Sequence, residues 1–83
     1  MDAEELRGME VDELVDARGT ACPGPLLAAK KSLGKIDSGQ TMEILSSDEG
    51  TKRDVPKWAK KKGHEYLGTV EESGYFRIFI RKK

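Results

Sequence analysis

Cys22 stands in the run Ala21-Cys22-Pro23-Gly24-Pro25 and is the only cysteine in the 83-residue chain. One thiol excludes an intramolecular disulfide, a CxxC redox pair and a Cys-rich metal site. It leaves two roles, a small buried filler or a nucleophile. The neighbours favour the second. A helical pattern opens at Pro25, so Cys22 falls where unpaired N–H groups and the positive end of the helix dipole stabilise a thiolate. A persulfide anion gains from the same field. Pro23 and Pro25 contribute no N–H, leaving Gly24 and Leu26 as the nearest backbone donors. Each proline also pushes the residue before it towards an extended conformation, which predicts a stiff, exposed corner. Gly24 has no side chain to obstruct an approaching partner. His64 is the only histidine, reads as a surface residue, and lies far along the chain. The base and orienting group of a cysteine hydrolase are therefore missing. A thiol without a base can still accept and donate sulfur when its partners supply the remaining groups.

The elements that must hold this thiol can be read from periodicity. Residues 1–10 have none and predict an acidic N-terminal tail, loose or partly ordered. Val11 to Asp16 reads as a first strand, and Gly19 marks the loop that follows. Leu26, Ala29, Leu33 and Ile36 recur at helical spacing from Pro25 onward. Asp37-Ser38-Gly39 closes that segment. Thr41 to Ser46 reads as a second strand, and Ser47 to Gly50 as a polar loop. A second helix is predicted over Thr51 to Lys62, capped by Asp54 or Thr51, because Pro56 belongs near a helix start. Gly63 stops it, and Lys60, Lys61 and Lys62 suit the negative end of its dipole. His64 to Glu72 and Tyr75 to Arg81 form a hairpin about Ser73-Gly74. The order β-α-β-α-β-β predicts an α+β, two-layer sandwich: a mixed four-stranded sheet with two helices on one face and the other face open.

Composition sets bounds on this picture. The chain has room for one small domain, residues 11–83 after the tail, and none for a substrate-sized interior cavity. Fifteen basic residues balance fifteen acidic ones, so net charge selects no partner class. Their distribution is uneven. Residues 1–16 hold seven acids against Arg7, whereas residues 52–62 hold six bases against Asp54. That predicts an acidic end and a basic face. No stretch approaches the roughly 20 apolar residues of a membrane span. The acidic N-terminus lacks the pattern of a signal peptide. The expectation is a cytoplasmic protein with a reduced thiol.

The run Asp16-Ala17-Arg18-Gly19-Thr20-Ala21-Cys22-Pro23-Gly24-Pro25 resembles the CPxP signature of the TusA/SirA-like sulfur-carrier family. The run from Asp48 to Trp58 is similar to that family's second block, an acidic loop leading into a helix. With the terminal hairpin, the resemblance spans about residues 12–82. It implies the same β-α-β-α-β-β sandwich, with Cys22 accepting persulfide sulfur from a cysteine desulfurase or rhodanese-like donor. It further implies delivery to an acceptor, often a DsrE-like protein, for tRNA thiolation, cofactor synthesis or sulfur metabolism. Pro23, Gly24 and Pro25 would shape the loop, Asp16 and Gly19 support it, and Arg53 and Asp54 begin the second helix beside it. No cofactor or metal is implied.

Basic residues on the second helix, Arg53, Lys57, Lys60 and Lys61, offer a docking surface for acidic partner proteins. Two other functions compete. Tyr75, Arg77, Phe79 and Arg81 alternate on one strand face and could stack bases in a nucleic-acid-binding module. The zero net charge disfavours direct nucleic-acid binding. A thiol-based redox regulator would use Cys22 for oxidation instead of sulfur transfer.

Overall fold

A computed structural model describes residues 2–21 and 24–83. In chain order the elements are α1 (Ala3–Arg7), β1 (Glu13–Asp16), α2 (Gly24–Leu33), β2 (Thr41–Ser46), α3 (Glu49–Lys61), β3 (Glu65–Glu72) and β4 (Tyr75–Arg81). The strands form one sheet in the order β1-β2-β4-β3, with β1 parallel to β2 and the other pairs antiparallel. This is the mixed α+β sandwich that the pattern predicts, with one addition on its far side.

Alternation along the strands divides the core in two. Val15, Met42, Ile44, Ile78 and Ile80 face α2 and α3, where Ala29, Leu33, Val55 and Ala59 close the layer. On the opposite face Phe79, Leu67 and Val70 pack under Leu6 of α1, with Met9 and Val11 at the margin. Ile78, Phe79 and Ile80 are consecutive and all fully buried, which a strand permits only when both sheet faces are covered. Of a loose or a partly ordered tail, the second therefore describes Ala3–Arg7, which is helical and packed on the sheet. Asp2 caps α1 by accepting from Glu5 N–H at 2.9 Å, Leu6 supplies the buried contact, and Arg7 pairs with Glu72 at 2.8 Å. One apolar residue among acids gives no periodicity to detect.

Other boundaries shift for local reasons. β1 starts at Glu13 because Asp12 is already engaged with Thr41: its N–H donates to the Thr41 carbonyl, and its carboxylate accepts from Thr41 N–H. α2 stops at Leu33, ahead of Gly34, and Ile36 reaches the core from the turn beyond. α3 starts at Glu49, and its cap is Asp48, not Thr51 or Asp54. Asp48 accepts from both the N–H and the hydroxyl of Thr51. Pro56 consequently lies inside the helix and leaves the Lys52 carbonyl without its usual donor. The hairpin turn is as predicted, with Gly74 at φ +84°. A bulge at Leu67–Gly68 puts Leu67 on the α1 side.

Candidate functional site

The loops that leave β1 and β2 emerge side by side, because these strands are parallel neighbours. The first loop enters α2 and the second enters α3. Cys22 and Pro23 lie outside the described residues, so the site is built from what flanks them.

Asp16 ends β1 and folds back onto Arg18. Its carboxylate accepts from the Arg18 guanidinium at 2.8 and 2.9 Å and from the Arg18 N–H at 3.2 Å. These hydrogen bonds hold the Asp16 carboxyl down at about 2. The guanidinium also lies 5.1 Å from the centre of the Tyr75 ring, which ties the β1 exit to the hairpin. Ala17 is buried and donates its N–H to the Leu45 carbonyl. Gly19 takes φ +81°, a conformation that favours glycine, and its N–H donates to Ser47 Oγ at 3.0 Å. This bond joins the two loops directly. Thr20 N–H returns to the Ala17 carbonyl, and Gly24 N–H to that of Ala21.

Gly24 opens α2, and the space a Cβ would take there is filled: Thr20 Cγ2 would lie 2.4 Å away. Pro25 is fully buried. Ala21 is exposed, and Gly19, Thr20, Ala21, Ser47 and Asp48 line a small open hollow of about 200 Å³. The described flanks of Cys22 thus combine an anchored base with an accessible rim.

Asp16, Gly19, Gly24 and Pro25 all lie along the connection from β1 to α2. Arg53 and Asp54 do not begin α3; they sit in its second turn, since the helix starts at Glu49. Arg53 is exposed and lies 3.4 Å from the Asp54 carboxylate. Lys57 and Lys61 line a groove with Trp58, whereas Lys60 turns away to lie over the Tyr66 ring. Sequence reasoning missed three residues, Thr20, Ser47 and Asp48. The D-x-x-T spacing from Asp48 to Thr51 was the available signal for the cap. Nothing local in the sequence pairs Ser47 with Gly19.

The Tyr75, Arg77, Phe79 and Arg81 face is not the open platform that base stacking needs. Phe79 is fully buried beneath α1. Arg77 donates to Glu43 at 2.6 Å and reaches Glu72 at 3.4 Å, while Arg81 pairs with Glu65. Tyr75 lies under Arg18. His64 is half-buried: its Nδ1 accepts from Lys83 N–H, and its ring tilts against Trp58 at 5.9 Å. Among the described residues no helix is long and apolar enough to cross a membrane.

The sequence matches the family model described as sulfurtransferase TusA over residues 13–82. It is 46% identical over 69 residues to a putative sulfur carrier protein of Archaeoglobus fulgidus, covering 83% of this chain and 94% of the relative. It is 38% identical over 73 residues to the sulfur carrier protein TusA of Allochromatium vinosum, covering 88% and 96% respectively. The crystal structure of a SirA-like protein from Desulfitobacterium hafniense superposes with a TM-score of 0.75 at 24% identity, covering 83% of this chain and 95% of that one, and so shares the fold. By the match of 13–82 and these relatives, the chain belongs to the TusA family of sulfur carriers.

Proposed function

We propose that Cys22 is the atom on which this sulfur carrier holds its cargo. The Cys22 thiolate attacks the outer sulfur of a donor protein's persulfide. A new S–S bond forms to Cys22, the donor's S–S bond breaks, and the donor cysteine leaves as a thiolate. The outer sulfur keeps its oxidation level, so no external oxidant or reductant is consumed. Delivery to an acceptor is the same step in reverse roles. The donor is a cysteine desulfurase or a rhodanese-like protein, and the acceptor a DsrE-like or other thiol protein. A reducing cytoplasm suits such a free thiol.

The observation that carries this reading is the family match, since residues 13–82 contain one cysteine and no other thiol could serve. The flanking geometry supports it. Asp16–Arg18 and Gly19–Ser47 anchor the chain before Cys22, and buried Pro25 anchors it after. Gly19 and Gly24 supply conformations and clearances that larger residues would obstruct. Asp16, Gly19, Gly24 and Pro25 are on this reading positioning residues, and Cys22 alone touches the reacting sulfur.

The test is to incubate the protein with a cysteine desulfurase and cysteine, then digest it and measure peptide masses. The expected result is one added sulfur on the peptide containing Cys22 and none on a Cys22→Ala variant. No loading by desulfurase or rhodanese, together with ready oxidation of Cys22 by peroxide, would favour the redox regulator instead.

A further inference from the structure

Where α2 runs beside α3, two adjoining hollows of about 370 and 400 Å³ share Lys30, Trp58 and Lys62. One extends to Leu33, His64 and Lys82, the other to Leu26, Lys57 and Lys61. The apolar floor is Trp58 with leucine side chains. Five lysines border it, Lys30, Lys57, Lys61, Lys62 and Lys82, against one carboxylate, Asp54. Among the described residues, the ion pairs use Lys52 and five arginines, and none of these five lysines. Lys30 and Lys61 suit the C-terminal turns of α2 and α3, each equivalent to roughly half a negative charge. Lys57, Lys62 and Lys82 add more positive charge than those two helix ends offset. Lys82 is fixed by donating to the Ile36 carbonyl at 2.7 Å. Burial, and after it the neighbouring Lys82 and Lys83, push the His64 imidazole below its ordinary value.

We propose that this groove is a docking site for an acidic, amphipathic segment of a partner protein, with carboxylates on the lysines and an apolar side chain against Trp58. Charge complementarity selects the ligand class: the groove presents cations around an apolar floor. A nucleic acid fits less well. Trp58 and His64 are the only rings along the groove, and they are tilted by 51° instead of forming a stacking platform. The molecule as a whole carries no net charge to attract a polyanion. The far end, at Gly34, Lys62 and His64, lies past the C-termini of α2 and α3, whereas Thr20, Ala21 and Ser47 lie at their N-terminal side. A ten-residue α2 separates the two by about 15 Å. The inference goes beyond the sulfur-carrier reading and does not depend on it, because peptide binding is measured without sulfur.

Trp58 is the only tryptophan, so its fluorescence reports the groove alone. The probe is a short synthetic peptide of alternating Glu-Glu and Leu-Leu pairs; the comparisons are the same peptide with Gln for Glu, and oligouridylate. The expected result is a saturable change in Trp58 emission with the Glu peptide only. Affinity should fall at least about tenfold in a Lys30→Glu/Lys62→Glu variant and stay unchanged in Lys35→Glu, whose exposed charge lies off the groove. Far-ultraviolet circular dichroism and urea unfolding of both variants establish that they are folded. No saturable change, equal binding of the Gln peptide, equal weakening by Lys35→Glu, or tighter binding of oligouridylate would each overturn the proposal.

Discussion

Gly24 and Thr20 share one volume. Gly24 is not among the positive-φ glycines, but it is helical and precedes Pro25, whose ring disfavours that backbone for a residue carrying a Cβ. That cost and a second one then oppose a single gain. Restricting the unfolded chain contributes about 0.4–1 kcal/mol of stability. Turning Thr20 away from the new Cβ costs about 0.5–1.5 kcal/mol. Gly24→Ala should therefore be destabilising alone and less so in a Thr20→Ser background, which lacks the obstructing methyl. Urea unfolding of the four members of this cycle measures the coupling, and strict additivity would show that the two residues do not compete. Asp16 gives a second test. Its folded carboxyl titrates at about 2 against an ordinary 3.8. The stabilisation is therefore present above about pH 4 and is lost as pH falls through 2. The Asp16 carboxyl carbon signal should titrate near pH 2 in the native protein and move up in an Arg18→Gln variant, which loses the guanidinium but keeps the backbone N–H.

α1 shows what five residues can do when one of them is anchored. So short a helix is not stable by itself in water; burial of Leu6 against Leu67, Val70 and Phe79 holds it, aided by the Asp2 cap. Leu6→Ala should cost about 2–5 kcal/mol, since the cavity would open onto fully buried Phe79. In a chain of this size that lowers Tm by roughly 10 °C or more. A calorimetric loss under about 0.5 kcal/mol would mean that α1 is not docked in solution. The same elements show which signals a sequence carries. β2 and β4 were legible to the residue because β-branched and aromatic residues are bounded by turn formers. α3 was placed late because Asp48-Glu49-Gly50 has loop composition, while the decisive contact is a single side-chain cap. Pro56 misled for a physical reason: a thirteen-residue helix tolerates the missing bond that would forbid a shorter one.

Across the whole molecule, the two-layer sandwich and its mixed four-stranded sheet follow from the β-α-β-α-β-β pattern, but the strand order β1-β2-β4-β3 and the contents of the second face do not. Its lining comes from Leu6, Met9, Val11, Leu67, Val70 and Phe79, residues scattered over more than seventy positions, and the bulge at Leu67–Gly68 breaks alternation where it would have helped. The candidate site was legible as a motif, Cys22 among prolines, and illegible as a scaffold. Gly19–Ser47 and Arg18–Tyr75 are tertiary pairings that no local spacing announces. The charge division fared in between: the basic stretch does line one groove, yet Lys60 leaves it for Tyr66.

The sheet order β1-β2-β4-β3 places β4 between β2 and β3. While the chain is being made, β2 and β3 therefore have no common neighbour, and the layers that hold Met42, Ile44 and Val70 lack Ile78, Phe79 and Ile80 until Tyr75–Arg81 leaves the ribosome. A nascent chain arrested before Gly74 holds the segments of α1, α2 and α3 and a lone parallel pair with an uncovered flank. Domains of this kind fold as a unit once the last partner strand is available, so the loops around Cys22 acquire their scaffold only after synthesis has passed Arg81.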